Sequence, residues 1–177
     1  QPLYYDLLGD MQVKEGSLKN AADSYQRSYG LFNGEEVLRK QVKLDIYFKD
    51  VSLAESRMVK HLSIKPMDSR VRILLASLYA QTSQLDAASG EYQRVLSDEP
   101  NNVMAMNNLA LLYLLQNKTQ QALELARKAY QQNPSAEIMD TYGWILVNSG
   151  DSKEGVQVLK RAHEAIPDNQ EVTYHLA

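Results

Sequence analysis

The sequence predicts an all-α solenoid of about five helix-turn-helix repeats, followed by a partial final helix. The first observation is a proline that recurs after 34, 34 and 33 residues, at Pro66, Pro100, Pro134 and Pro167. The second is that each proline follows an apolar, alanine-rich stretch with helical spacing. Because a proline ring clashes with the preceding turn and lacks an N–H donor, each proline marks the end of a helix.

The three best-formed repeats carry the same residue types at matching positions. Each has a large, a small and a second large residue on its first helix, and mostly small residues on its second. The members are Leu75, Ala76, Tyr79, Ala88, Tyr92 and Val95, then Leu109, Ala110, Tyr113, Ala122, Ala126 and Ala129, then Tyr142, Gly143, Leu146, Gly155, Leu159 and Ala162. This pattern resembles the tetratricopeptide repeat (TPR) family. The resemblance implies a right-handed superhelix whose first helices line a concave groove.

The small residues have a packing role in this prediction. Two antiparallel helices approach closely where one offers Gly or Ala to a bulky residue of the other. Ala76, Ala110 and Gly143 are predicted to form that notch. A single hairpin cannot bury its apolar face, so we expect neighbouring hairpins to stack.

Taken in order, the chain is predicted to form one solenoid. The first repeat turns at Gly16, with Ser17 as the N-cap of the next helix, and Asn33-Gly34 replaces the proline stop. The second repeat is degenerate, because Gln41, Val42 and Asp45 occupy its first-helix signature positions. The predicted elements are repeats at 2–34, 35–68, 69–102, 103–135 and 136–169 and a partial helix at 170–177.

Turn chemistry supports the later boundaries. Gly150-Asp151 is predicted to end one helix and cap the next, with Asn117 at the matching position one repeat earlier. Thr119 is predicted to be the N-cap after Asn117-Lys118. The sequence begins without an initiator methionine and stops in mid-pattern, so we expect it to be part of a longer protein.

Composition excludes several classes of function. The 177 residues contain no cysteine, which removes disulfides, thiolate metal sites and cysteine nucleophiles, and says nothing about compartment. A net charge of −3 argues against a general nucleic-acid binder. No apolar run approaches the roughly twenty residues of a membrane span.

Chemistry-bearing motifs are sparse. His61, His163 and His175 match no zinc spacing and are predicted to be surface or packing residues. The sequence has no glycine-rich phosphate loop and no carboxylate pair distinct from a solvated helix face. We therefore expect no enzyme activity, no cofactor and no metal site.

The TPR resemblance implies which residues face the groove. They include Asp6, Asp10 and Ile73, and those predicted to contact a partner are Arg39, Lys40, Lys43, Arg70, Ser77, Met104, Asn107, Asn108, Leu111, Asp140, Trp144 and Asn148. The family's carboxylate clamp for acidic C-terminal peptides would need lysine and asparagine where Ile73 and Ser77 stand. The four basic residues could still bind an acidic segment, or they could form a solvated helix face.

Trp144 is the only tryptophan and has two interpretations. As a groove residue it could be a binding hot spot. Alternatively it could pack against a neighbouring first helix, near Leu111 or Leu115 or against Tyr174.

A narrower resemblance lies in the last third of the chain. The runs Asp140-Thr141-Tyr142-Gly143-Trp144 and Tyr174-His175-Leu176-Ala177 resemble the C-terminal repeats of bacterial TPR lipoproteins of the PEP-CTERM/exosortase system. That resemblance implies an envelope scaffold in exopolysaccharide production or protein sorting, anchored by an upstream lipid and facing the periplasm or outer membrane. Without it, a cytoplasmic location is expected.

The sequence as a whole predicts a non-catalytic scaffold that binds a protein or peptide. One alternative is a scaffold that associates with copies of itself through its exposed ends. The other is an exopolysaccharide-binding module that uses Trp144, the tyrosines and the groove asparagines. In each case no nucleic acid and no membrane contact by these residues is expected.

Overall fold

The computed structural model describes residues 2–176, and these form helices and turns without strands. The all-α hairpin architecture predicted from the proline spacing is present. The helices in this part of the chain are α1 (Pro2–Lys14), α2 (Leu18–Phe32), α3 (Glu35–Tyr47), α4 (Val51–Ile64), α5 (Ser69–Gln81), α6 (Leu85–Asp98), α7 (Val103–Leu115), α8 (Thr119–Gln132), α9 (Ala136–Asn148), α10 (Ser152–Ala165) and α11 (Gln170–Leu176).

The chain divides into two compact units, Gln1–Leu75 and Ala76–Ala177. In unit 1, α1 pairs with α2, α2 packs on α3, and α3 pairs with α4. In unit 2, α6 packs on α7, α7 pairs with α8, α8 packs on α9, and α9 pairs with α10. The final helix, α11, packs on both α9 and α10.

A left-handed backbone residue follows the first helix of every hairpin. Gly16 and Gly150 have φ values of +77° and +98°, as their predicted turn roles require. Asn117 has φ of +59° at the predicted position. Lys49 and Ser83 adopt the same conformation, both with φ of +62°, although neither residue type signals it. The repeat therefore imposes the left-handed conformation at this position, even where the residue is neither glycine nor asparagine.

Two predicted N-caps differ from the structure. Ser17 occupies the N-cap position of α2, but its side chain makes no capping hydrogen bond. The N-cap of α8 is Lys118, and Thr119 is the first residue of the helix. Capping by side chains occurs elsewhere: Asp50 accepts from the Leu53 N–H at 3.0 Å, and Asn102 accepts from the Ala105 N–H at 3.0 Å.

The core follows the predicted signature. The notch residues Ala76 and Ala110 are fully buried, and so are Ala122 and Ala129 on α8, the second helix that pairs with α7. The degenerate second repeat also forms a hairpin, α3 with α4. Its polar signature residue Asp45 is buried and lies 2.8 Å from Nε of Arg57 on α4, so an ion pair replaces the usual apolar contact.

Candidate functional site: a mixed-charge groove in unit 1

A groove of about 550 Å³ lies between α3 and the first turns of α5. Val42, Ile46 and Leu74 form its apolar lining. Its charged lining consists of Glu35, Glu36, Arg39, Lys40, Lys43 and Arg70. All four basic residues predicted for unit 1 therefore come together, accompanied by two glutamates that the sequence interpretation did not include.

Lys40 is held by α1. Its Nζ lies 2.8 Å from Oδ1 of Asp6 and 2.8 Å from Oδ2 of Asp10. The Tyr25 hydroxyl also donates to Asp10, at 2.8 Å. Lys40 was predicted to contact a partner, but these bonds show that it links α3 to α1.

The pKa values in this network move in the directions that the bonds require. Burial alone would lower the pKa of Lys40, but its hydrogen bonds to Asp10 and Asp6 raise it above the ordinary value. Burial alone would raise the pKa of Asp10, but the bonds from Lys40 and Tyr25 lower it. Burial and the bond to Asp10 raise the pKa of Tyr25. The charged pair of Lys40 and Asp10 is therefore stabilised in the folded state.

The remaining basic side chains differ in how far they are neutralised. Glu35 lies 3.7 Å from Arg39 and 3.5 Å from Arg70, and both arginine side chains are largely exposed. Lys43 is exposed and forms no side-chain ion pair or hydrogen bond within residues 2–176. Glu36 is likewise exposed and unpaired in that part of the chain.

Charge on this surface is balanced and not basic. Four acidic side chains, Asp6, Asp10, Glu35 and Glu36, accompany four basic ones, Arg39, Lys40, Lys43 and Arg70. The basic patch that the sequence suggested is thus a mixed-charge surface. After internal pairing, Glu36 and Lys43 are the charged lining residues left without a partner among the described residues.

Two apolar clefts adjoin the ends of α3. One, of about 460 Å³, includes Leu3, Phe32 and Val37 and shares Glu35 and Glu36 with the groove. The other, of about 380 Å³, includes Val13, Leu44 and Tyr47 and shares Lys40 and Lys43 with the groove. Each unpaired charge therefore borders an apolar surface.

The predicted partner-contacting residues of unit 2 have several different roles. Ser77 and Asn108 both hydrogen bond to the Tyr92 hydroxyl, at 2.8 and 3.1 Å, and so join three helices of this unit. Met104 is 60% exposed, and Leu111 is partly buried. Oδ1 of Asn107 is buried without a hydrogen-bond partner among the described residues.

Trp144 packs against α11. Its ring stacks on the His175 imidazole, with centroids 4.4 Å apart and planes inclined by 14°. Nδ1 of His175 lies 2.9 Å from both carboxylate oxygens of Asp140. Because a carboxylate only accepts, Nδ1 carries the proton. Asn148 donates to the Trp144 carbonyl at 2.8 Å. The predicted contact of Trp144 with the last helix is present, but its partner is His175, while Tyr174 is 74% exposed.

His61 is a packing residue at the centre of unit 1. It is fully buried, with Nδ1 2.9 Å from the Tyr29 hydroxyl and Nε2 2.8 Å from Asp68. Burial, followed by the charge of Asp68, raises the pKa of Tyr29. Within residues 2–176 no group of three or more histidine or acidic side chains could hold a metal ion.

The sequence interpretation missed a regular pairing across repeats. Asp6 and Lys40 are 34 residues apart, Glu35 and Arg70 are 35 apart, and Asp140 and His175 are 35 apart. Each pair joins equivalent faces of successive first helices. An acidic residue one repeat away from a basic residue or a histidine was the signal that could have revealed these contacts.

Within the described part of the chain, the helices are too short or too polar to cross a membrane.

A family model of the tetratricopeptide repeat matches residues 73–137 of this chain. A relative from Komagataeibacter xylinus, "Cellulose synthase 1 operon protein C", is 32% identical over 108 residues, or 59% of this chain. The chain spans 8% of that relative's length.

Solved structures share the fold at low sequence identity. A tetratricopeptide repeat protein from Parabacteroides merdae has a TM-score of 0.81 and 16% identity, over 99% of this chain and 70% of its own. TTC0263, a TPR protein of Thermus thermophilus, has a TM-score of 0.73 and 14% identity, over 99% of this chain and 97% of its own. YrrB, described as a TPR protein with an unusual peptide-binding site, has a TM-score of 0.70 and 14% identity, over 98% of this chain and 91% of its own.

The matched motif and the fold together support a TPR protein, and the predicted all-α TPR architecture is confirmed. The TPR fold is that of a scaffold family, consistent with protein-protein interaction.

Proposed function

We propose that this chain is a non-catalytic TPR scaffold that binds a segment of a protein partner in the groove of unit 1. The observation that carries the proposal is the 550 Å³ groove, in which exposed charged side chains surround an apolar lining. Such a combination provides both contact area and orientation for a peptide. The peptide-binding site described for YrrB gives a precedent for this use of the fold.

The setting we propose is bacterial exopolysaccharide production. The similarity to a cellulose synthase operon protein supports this setting, over 59% of the chain. The narrower assignment to a PEP-CTERM/exosortase lipoprotein, with a lipid anchor upstream, rests on the resemblance of the last two repeats. In either case the scaffold would hold a component of an envelope assembly.

The first experiment is a comparison of partners captured from a bacterial envelope extract by the wild type and by Lys43→Glu with Arg70→Glu. Both positions are exposed and line the groove, so we expect the variant to lose its specific partner without unfolding. Lys19→Glu with Lys60→Glu makes the same charge change on exposed positions of α2 and α4 and should retain it. Retention of every partner by the groove variant would place the binding site elsewhere.

Self-association is the second candidate function, since α1 has an apolar stripe. Leu3, Leu7 and Met11 recur every four residues and are 69%, 54% and 58% exposed. A patch of this kind on a helix is typical of a contact surface. Light scattering should show dimers or larger assemblies that Leu7→Lys reduces, and a wild type that stays monomeric at high concentration would exclude this function.

A further inference from the structure

We propose that the groove of unit 1 recognises an extended segment that presents one basic and one acidic side chain three residues apart. The basic side chain pairs with Glu36 and the acidic one with Lys43. This inference rests on the proposed function, because it specifies the chemistry of the partner bound at the same site. The sequence suggested an acidic ligand. The inference replaces it by a dipolar ligand, meaning one that carries one basic and one acidic side chain.

The first step is the availability of the two charges. Lys40 is already paired with Asp6 and Asp10, each at 2.8 Å. Arg39 and Arg70 share Glu35, which holds both of them on one side of the groove. Glu36 and Lys43 line the same groove, are exposed, and have no side-chain partner in the described part of the chain. A ligand can therefore pair with these two without breaking an existing ion pair.

The second step is their spacing. Glu36 and Lys43 are seven residues apart on α3, and two turns of helix return a side chain to nearly the same face. At 1.5 Å per residue they are separated by about 10.5 Å along the helix axis, which is too far for them to pair with each other. The groove thus has a negative end and a positive end, separated by a fixed length.

The third step is the conformation of the ligand. In a polyproline II segment, residues i and i+3 lie on one face and are about 9.3 Å apart, so they can reach both charges. A strand would place residues i and i+3 on opposite faces. An α-helix would separate residues i and i+3 by only about 4.5 Å along its axis, less than half of the distance between the two charges. The spacing of Glu36 and Lys43 therefore favours the polyproline II segment.

The apolar surfaces add a further requirement. Val42, Ile46 and Leu74 lie in the groove and favour apolar or proline residues between the two ligand charges. The cleft with Phe32 and Val37 adjoins Glu36, and the cleft with Val13 and Tyr47 adjoins Lys43. We expect an apolar ligand residue next to each charge to strengthen binding.

The test uses three fluorescein-labelled peptides with glycine flanks, built on Lys-Pro-Pro-Glu, Glu-Pro-Pro-Glu and Lys-Pro-Pro-Lys. Binding is measured by fluorescence polarisation at low salt, against the wild type, Glu36→Lys, Lys43→Glu and the double variant. Because the comparison depends on charge and not on chain order, it holds for either direction of the bound peptide. Each exposed pair contributes up to about fivefold in affinity, so a reversed charge shifts the preference measurably.

The wild type should prefer Lys-Pro-Pro-Glu. Glu36→Lys should prefer the doubly acidic peptide, and Lys43→Glu the doubly basic one. The double variant should prefer Lys-Pro-Pro-Glu again, with its charges bound in exchanged positions. The control, Lys19→Glu with Asp23→Lys on the exposed face of α2, should behave as the wild type.

Two results would overturn the inference. One is a wild type that binds the doubly acidic peptide at least as well as the dipolar one, and the other is a set of preferences that the single variants leave unchanged. Absence of binding by all three peptides at millimolar concentration would also overturn it. If Lys43→Glu with Arg70→Glu still abolished partner capture, the proposed function would stand while the dipolar ligand would be wrong.

Discussion

Gly143 on α9 and Gly155 on α10 face each other where the two helix backbones come closest. A Cβ atom at Gly155 would lie 2.7 Å from the Gly143 carbonyl oxygen, and one at Gly143 would lie 3.0 Å from the Gly155 carbonyl oxygen. In both cases the obstacle includes backbone, which cannot move aside as a flexible side chain can. The TPR notch is therefore occupied here by two glycines because the main chains themselves are in contact.

Gly143→Ala should destabilise unit 2 by about 1–3 kcal/mol, the usual cost of overpacking a core. The new methyl group would also meet Leu159, whose Cγ would lie 2.8 Å away. Urea denaturation followed by far-ultraviolet circular dichroism measures the change in the free energy of unfolding.

The matched control is Gly90→Ala on α6, where a Cβ atom meets nothing within 4 Å. Its expected effect has the opposite sign, a gain of about 0.5–1 kcal/mol, because alanine favours the helix over glycine. Equal effects of the two substitutions would show that the notch is not limited by backbone contact.

These contacts show which features could be predicted from the sequence. Pro134 and Gly143 act locally, one by ending a helix and the other by lacking a side chain, so their positions predicted the repeat and its notch. The conformation of Lys49 could not be predicted in this way, because the stacked hairpins impose it on a residue that does not favour it.

The candidate groove of unit 1 was harder to predict, because its free charges depend on residues distant in the sequence. Lys40 was predicted to contact a partner, but whether its charge is available depends on Asp6, one whole repeat away. Glu36 was overlooked because the groove residues selected on α3 were its basic residues alone. Side-chain pairing between repeats decides which charges remain available to a partner.

Lys40→Met should narrow the pH range in which unit 1 is most stable. The pKa of Lys40 is raised above 10.5, so its contribution is complete below that pH and is lost as pH rises through the folded-state pKa. The pKa of Asp10 is lowered below 3.8, so its contribution is present above that value and is lost as pH falls through the folded-state pKa.

Thermal unfolding from pH 3 to 11 checks this prediction. The variant should lose up to about 1 kcal/mol for each of the two partly buried pairs near neutral pH, with the difference from wild type shrinking at both extremes. Lys19→Met, on the exposed side of α2, is the control. A difference that stayed constant across the whole range would mean that Lys40 acts through packing of its aliphatic chain.

Arg57→Met should destabilise unit 1 by about 3 kcal/mol at neutral pH, because it leaves the buried Asp45 carboxylate without its counter-ion. Burial already raises the pKa of Asp45, more than Arg57 lowers it. Without Arg57 that pKa should rise further, so the variant regains stability relative to wild type as pH falls and Asp45 becomes protonated.

Denaturation at pH 4.5 and pH 7.5 separates this electrostatic effect from simple loss of packing. Asp45→Asn should cost less than Arg57→Met, since an amide is neutral and can still accept a hydrogen bond from Arg57. The double variant, with neither charge, should be more stable than Arg57→Met alone. A double variant that was less stable would argue that the ion pair is not the source of the loss.

His175→Ala should expose Trp144 to solvent. The imidazole covers one face of the indole, and its bond to Asp140 holds α11 against α9. Removing both contacts weakens the docking of this seven-residue helix by about 1 kcal/mol. Because Trp144 is the only tryptophan, its fluorescence emission reports this site alone. The emission should shift to longer wavelength, and the indole should become more accessible to quenching by acrylamide.

The control is Tyr174→Ala, which removes an exposed neighbour and should leave emission and quenching near those of wild type. Equal quenching in both variants would mean that α11 does not shield the indole in solution.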